Sequence, residues 1–529
     1  MPRFAGVWSA GGGPRSGYAA GYNEYLASVG GTKGVPDKTC RGQAWVRPIT
    51  ALDAYLLVYQ LVDIEGLTSE PDQLANAQPP TATAQPSATA DLSALAASVV
   101  RRAPGTDGLP AASQLRKLGD QATAGTGSNA IAIGSDGTRD HQHGMLLGNP
   151  HLPWQGALHL YQAQFTIPGT MNVEGATIVG VPLVVVGFTG SMAWSETTSR
   201  SWTVVPYQLT LVPGHPAEYV YDGKATDMTG QTVTVPELTA GGTISEIKHT
   251  VWYTRYGAVL SGYQGVPLGW STTTAFALDD ADAGNFRFLN QFLGIDEAPS
   301  VTQVLSVLKE CEGGPWNNTV ASDSAGRALY ADIQYGATLV KSQVVAMCRS
   351  SRGALLFSFF WDNALSDWDA TWSHPFQATD PLGTPYGLNT ASSWVQQSFG
   401  SALEQMNASG FPYDLALGQV QYVTLDGQNI PLPGGPADPN GELNAMNINS
   451  PGAIPGTSST YIQVVTWAAG DACPEAATVL AYSESENPAS PHYDDQTKLF
   501  SRRQWATGYF CPAQVAAHAV STTVVSGDR

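Results

Sequence analysis

A serine after a Gly/Thr/Ser-rich run opens a strand-like segment of small residues, Gly127-Ser128-Asn129-Ala130-Ile131-Ala132-Ile133-Gly134, and this feature most constrains the fold. About twenty residues on comes Gly144-Met145-Leu146-Leu147-Gly148-Asn149-Pro150-His151-Leu152-Pro153-Trp154. After Ser128 the texture is that of strands. Leu158 to Ile167 alternates partly, and Ile178 to Phe188 is a near-continuous apolar run suited to a strand buried on both faces. Gly456-Thr457-Ser458 leads into a further core strand over 461–467. Helical signals flank these strands. Leu52, Leu56, Tyr59 and Val62 recur at helical spacing over 51–64, and Ser300-Val301-Thr302-Gln303 reads as a capping box for a helix through Lys309. Periodicity alone thus gives a mixed α/β body.

Charge narrows the partners. Asp and Glu number 44 against 25 Lys and Arg, a net charge of −19, which argues against nucleic acid and anionic membrane as partners. No apolar run of about 18 residues suggests a membrane-spanning helix. Met1-Pro2-Arg3-Phe4-Ala5-Gly6 has no hydrophobic signal core. Residues 77–92, rich in Pro, Ala and Thr, read as a linker. Cys40, Cys311, Cys348, Cys473 and Cys511 form no C-x-x-C pair, so no structural metal is expected; a Cys473–Cys511 bridge is one pairing among several. Asp140-His141-Gln142-His143 lacks a third ligand at a matching spacing and reads as an exposed polar turn, and Asp438-Pro439-Asn440-Gly441-Glu442 reads as a β-turn rather than a calcium loop. Neither a Gly-x-Ser-x-Gly elbow nor a nucleotide-binding loop occurs.

The segments around Ser128 and His151, with Cys40-Arg41-Gly42-Gln43-Ala44-Trp45, Ala193-Trp194-Ser195-Glu196-Thr197-Thr198, Pro433-Gly434-Gly435 and Pro491-His492-Tyr493-Asp494-Asp495 in order, resemble the penicillin acylase family of N-terminal nucleophile hydrolases. The resemblance is nearest to acylases of homoserine lactones and cyclic lipopeptides. It implies an α+β fold, an αββα sandwich shortened relative to the family. It divides the chain into a partial small subunit (1–108), a spacer (109–127) and a large subunit (128–529). It also implies a self-processing amidohydrolase, with no cofactor or metal, that removes an aliphatic acyl chain from a polar head group in an N-acyl-homoserine lactone, lipopeptide or penicillin-type substrate. Its partners would be that small substrate and its own second fragment, in a secreted or periplasmic setting.

The chemistry follows from chain position. A serine hydroxyl is a weak nucleophile, and a new chain terminus supplies an α-amine with a pKa near 8 as its base. By resemblance, cleavage falls between Gly127 and Ser128, Ser128 is the nucleophile, His151 orients the amine, and the backbone N–H of Thr198 is one oxyanion donor. Leu152, Trp154, Ile178, Val181, Val184 and Val186 match an acyl-binding cleft, with plain core packing as the alternative. The family's second oxyanion donor is an asparagine in a motif absent here, and the joint between Gln334 and Gly353 is short; Asn317, Asn318, Asn389 and Asn447 are the substitutes available. Glu196 stands where this branch often has histidine. A non-catalytic or unprocessed member that only binds acyl ligands is the second reading.

Overall fold

The computed structural model describes residues 14–64, 66–80, 101–102, 127–199, 203–239, 243–263, 266–333, 363–364, 367–374, 386–389, 391–411, 417–435, 445–448, 450–471 and 473–523. The expected turn at 438–442, Cys348 and all of the spacer but Gly127 lie outside these residues.

Two antiparallel sheets form the centre. Their strands, in chain order, are β1 (Gly127–Ile133), β2 (Met145–Pro153), β3 (Leu160–Ile167), β4 (Met171–Ile178), β5 (Val186–Thr189), β6 (Met192–Thr198), β7 (Asn317–Asp323), β8 (Ala328–Ala331), β9 (Thr457–Ser459), β10 (Tyr461–Thr466), β11 (Glu475–Leu480) and β12 (Ala506–Gly508). One six-stranded sheet runs β1-β2-β10-β11-β12, with β9 also paired to β2; the other six-stranded sheet runs β8-β7-β6-β5-β4-β3. Leu146, Phe188, Ala193, Val320, Val465 and Trp467 fill the space between them. Gln463 of β10 crosses the gap, its Nε2 donating to the Trp194 carbonyl at 2.8 Å.

Helices cover both outer faces. Five matter here: α1 (Pro14–Ser28), α2 (Ala51–Val62), α3 (Phe288–Asp296), α4 (Val301–Cys311) and α5 (Asp495–Arg502). Val58, Leu61, Phe292, Ile295, Val304 and Leu308 pack with Trp194 and Met192 on the outer face of the β6 sheet. α5 lies on the other sheet, where Gln496 Oε1 accepts the Leu480 N–H at 2.7 Å. The order helix, sheet, sheet, helix is the expected sandwich. Ser300 caps α4 by accepting the Gln303 N–H at 3.3 Å, while buried Asp323 accepts the Val301 N–H at 3.1 Å. Between β6 and α3 the chain supplies seven strands of a further, eight-stranded sheet, the eighth being Arg101–Arg102 paired beside Val204–Val212, with Leu209, Leu211, Tyr219 and Val259 at its core.

The expected strand over 178–188 is corrected. β4 ends at Ile178 and β5 begins at Val186, with a connection between that is mostly buried but opens at Val179, which is 49% exposed. Gly180 has φ +96, and a Cβ there would lie 2.2 Å from Leu57 Cδ2, so the chain turns beneath α2 at a point only glycine fits. The inward face of α2 also differs: Leu52 and Leu56 are exposed, while Val58, Leu61 and Val62 are buried. Nearly every position of this helix is apolar, so spacing does not choose a face. The start of the expected linker is docked, with Ala77 buried and Gln78 Nε2 donating to the Thr250 carbonyl at 2.8 Å. Cys473 and Cys511 form a disulfide that ties the loop before β11 to the one after β12.

α2 meets the inserted sheet through carboxyls. Asp63, at the end of α2, stands beside Asp280: a Cβ on Gly66 would lie 2.4 Å from Asp63 Oδ1 and 2.0 Å from Asp280 Oδ2. Burial first, then Asp280 beside it, raises the Asp63 pKa to about 9. The unfolded chain releases this proton near pH 4. Native Asp63 therefore contributes stability in full below about pH 4, and that contribution declines as pH rises towards 9. Asp63→Asn will flatten this decline in a Tm-against-pH series. A second test concerns sheet spacing: a Cβ on Gly148 would lie 2.7 Å from Ser195 Cβ. Gly148→Ala will cost about 1–3 kcal/mol by overpacking, read from the denaturation midpoint, and Ser195→Gly will recover part of it.

Candidate active site

The site begins with register. Antiparallel pairing of β1 on β2 sets Gly127 opposite His151, Ser128 opposite Pro150 and Ala130 opposite Gly148. Ala130 and Ala132 point into the inter-sheet core, so by the two-residue period Ser128 faces the same space. Its Oγ makes a short hydrogen bond to the carbonyl oxygen of Gly127 and accepts a long one, 3.4 Å, from the His151 N–H. The hydroxyl thus lies against the peptide group that precedes it.

His151 is 5% exposed. A Cβ on Gly127 would lie 3.6 Å from its Nδ1, and Asn129 Nδ2 is 3.3 Å from its Nε2, so the ring sits over the Gly127–Asn129 backbone. The neighbouring strands brace this corner. Thr460 donates to the Pro150 carbonyl through both N–H (3.0 Å) and Oγ1 (2.8 Å), and Asn149 Nδ2 donates to Ser459 Oγ at 3.2 Å.

Thr198 comes from the other sheet. Ser322 Oγ donates to the Ile133 carbonyl at one end of β1, and Gly148, which pairs with Ala130, abuts Ser195 midway. Continuing along both strands brings Ser128 and Thr198 to the same end of the sandwich. The Ser199 N–H donates to the carbonyl of Trp316, just before β7, at 2.9 Å. Strand alternation then turns the Thr198 N–H away from β7, and the pairing of β5 with β6 reaches only Gly187↔Trp194.

The six apolar candidates are all buried in one hydrophobic cluster, Val181 and Val184 completely. Trp154 is fixed in place, its Nε1 donating to the Ser459 carbonyl at 3.0 Å and its ring meeting Tyr482 edge-on. The asparagines have their own engagements. Asn317 Nδ2 donates to Glu196, and Asn318 Nδ2 donates to Thr197 Oγ1 and the Thr198 carbonyl, each at 3.2 Å. Asn389 Oδ1 accepts the Ser392 N–H at 3.3 Å, while the Asn447 N–H donates to Ser458 Oγ at 2.7 Å, beside β9. Asp140–His143 is a turn in which Asp140 pairs with His143 Nδ1 at 2.5 Å. Among the described residues, no three His, Cys, Asp or Glu side chains are grouped to hold a metal.

The comparisons with known proteins agree with this architecture. The family model described as penicillin amidase matches residues 15–342 and 345–517. The chain belongs to the penicillin amidase family. An acyl-homoserine lactone acylase PvdQ of Pseudomonas putida is 28% identical, with 97% of this chain and 82% of that protein covered. Aculeacin-A acylase of Actinoplanes utahensis is 27% identical, over 95% of this chain and 81% of its own length. The P. putida alignment spans 667 positions, more than the 529 residues of the whole chain, so that relative carries segments without a counterpart here. Among solved structures, the thermostable penicillin G acylase from Alcaligenes faecalis shares the fold at a TM-score of 0.50 and 13% identity, over 76% of this chain and 99% of its own.

Sequence reading missed Asn129 as a neighbour of the histidine ring, and Thr460 and Ser459 as braces. The first sits beside the serine in the opening motif, but only strand register reveals its partner. The others are hydroxyls at the entry to a core strand, a place where buried side-chain oxygens are unusual enough to serve as a signal. Replacing His151 with Ala strips the buried corner of its ring and its contact with Asn129; a loss of about 1–3 kcal/mol is expected in the denaturation midpoint.

Proposed function

We propose that the chain is a self-processing acylase whose nucleophile is Ser128. Its carrying observation is the Ser128 hydroxyl held against the Gly127 carbonyl beneath His151. In processing, Oγ attacks the Gly127 carbonyl carbon, the C–N bond breaks, and the proton from Oγ passes to the departing nitrogen. Water then hydrolyses the resulting ester, leaving a Gly127 carboxylate and a Ser128 with both hydroxyl and α-amine. The fragments ending at and beginning from this bond stay together as a heterodimer, residues 109–127 being the spacer.

In turnover the α-amine takes the Oγ proton as Oγ attacks the substrate amide, then passes it to the leaving amine. Water assisted by the same amine hydrolyses the acyl-serine ester and releases the acid. The Thr198 N–H is one oxyanion donor, a role worth about 3 kcal/mol in such sites. Leu152, Trp154, Ile178, Val181, Val184 and Val186 supply the apolar wall for the acyl chain, where each buried methylene gains about 0.8 kcal/mol. The acyl chain is aliphatic and its polar head a homoserine lactone, as in the name of the P. putida relative, or a lipopeptide or penicillin-type nucleus, as the family resemblance implies. The Cys473–Cys511 disulfide accords with an exported protein.

A second reading has its own support: the amides of Asn317 and Asn318 are both engaged, which leaves neither as the second oxyanion donor. On that reading the protein binds acyl ligands without cleaving them. Intact mass under denaturing conditions decides between the two, with N-terminal sequencing of the larger fragment. Expected are two fragments, the larger starting Ser-Asn-Ala-Ile, while Ser128→Ala remains one chain of 55.7 kDa and releases no acid from acyl amides. A wild-type chain that stays whole and inactive leaves the binding reading.

A further inference from the structure

Glu196 lies on β6 two residues before Thr198, on the outer face of its sheet with Trp194. The antiparallel register places it opposite Thr319, and Thr198 opposite Asn317. Both facing residues of β7 bind its carboxyl. Asn317 Nδ2 donates a short hydrogen bond to Oε2, and Thr319 Oγ1 lies 3.1 Å from Oε1 and 3.0 Å from Oε2. The carboxyl is therefore a clasp between β6 and β7 at the residue that carries the Thr198 N–H.

The donors to this clasp are uncharged. The ionisable side chains on surrounding elements are engaged elsewhere or stand apart. Arg287, before α3, is 4.0 Å from Glu312, and Asp332, beyond β8, accepts from Ser199 at 3.2 Å. Tyr330 of β8 is exposed, and His151 lies across the sandwich beside Ser128. Burial raises the Glu196 pKa to about 8, against the pull of the hydrogen bonds from Asn317 and Thr319.

We propose that Glu196, in its neutral form, is the positioning residue for the Thr198 N–H, and that loss of its proton ends activity on the alkaline side. The inference rests on the acylase reading above. Two residues along a strand span about 7 Å, so an ionised Glu196 sets a negative charge close behind the group that must receive a developing oxyanion. The neutral carboxyl keeps acceptors for Asn317 and Thr319 without that charge. The base of the reaction titrates in the opposite sense, since the Ser128 amine acts only when unprotonated. Activity then has an acid limb from the amine and an alkaline limb from Glu196.

The test is kcat/KM for a long-chain acyl amide from pH 6 to 10, with wild type and Glu196→Gln, both confirmed as cleaved. Wild type will fall about tenfold per pH unit above the Glu196 ionisation. Glu196→Gln, isosteric and uncharged, will keep the acid limb and lose the alkaline one. An alkaline limb unchanged in Glu196→Gln overturns the proposal. A wild type without activity at any pH, or activity that survives Ser128→Ala, overturns the acylase reading instead. The clasp is also measured without turnover, by comparing Tm of Ser128→Ala with Ser128→Ala/Glu196→Gln against pH. A raised native pKa means that the carboxyl's contribution declines as pH rises from about 4.5 to about 8. The double variant will therefore gain on the single one across that range and level off above it. A Tm gap that does not change with pH overturns the clasp whatever the kinetics show.

Discussion

The register of β1 on β2 decides everything at the candidate site. A slip of one residue would send the Ser128 side chain to the other face, the one on which Ile131 is 43% exposed. Several features exclude that slip. Alanines 130 and 132 fit the narrow inter-sheet space, where a shifted Ile131 would not. Gly148 is the one residue of β2 that tolerates Ser195 at such close range, so β2 is itself indexed to the opposite sheet. The far edge of β2 is held by Ser459 opposite His151 and Gln463 opposite Gly148. The serine, the histidine and the strand bearing Thr198 are thus placed by backbone ladders and close packing, and few side-chain contacts join them directly.

This explains which parts were legible in the sequence. Small residues marked β1, partial alternation marked β3, Ser300 announced α4, and the two segments carrying Ser128 and His151 could be read from their local motifs. Apolar runs were less informative. The stretch 178–188 signals burial, but burial says nothing of where the chain turns; Gly180 and its close neighbour Leu57 decide that. The almost wholly apolar α2 hid its inward face for a related reason. Contacts across strands were illegible altogether: Glu196 meets Asn317 and Thr319 from more than a hundred residues away, and no periodicity encodes such a pairing. The same holds for Asp63 and Asp280, which come together only once α2 has docked on the inserted sheet.

Those two carboxyl sites, Asp63 buried and Glu196 half-buried, share a physical cause. The chain has 44 acidic residues and only 25 Lys and Arg, so cations to pair with interior carboxylates are scarce. A buried carboxylate without a cation is costly, and the cheaper state is the neutral acid, which also donates a hydrogen bond. Asp63 stands beside Asp280, where α2 joins the inserted sheet, and Glu196 sits at the end of the strand bearing Thr198. Burial also raises Asp282 and Glu484 to about 7. Each such group favours the folded state more on the acid side of neutrality than on the alkaline side. A surface of net charge −19 acts in the same direction, because raising the pH adds negative charge to a molecule that already repels itself. Interior and surface thus share one bias. On the acylase reading it opposes the chemistry, because a terminal amine becomes a better base as pH rises while the framework that positions its oxyanion strand loses the protons holding it together.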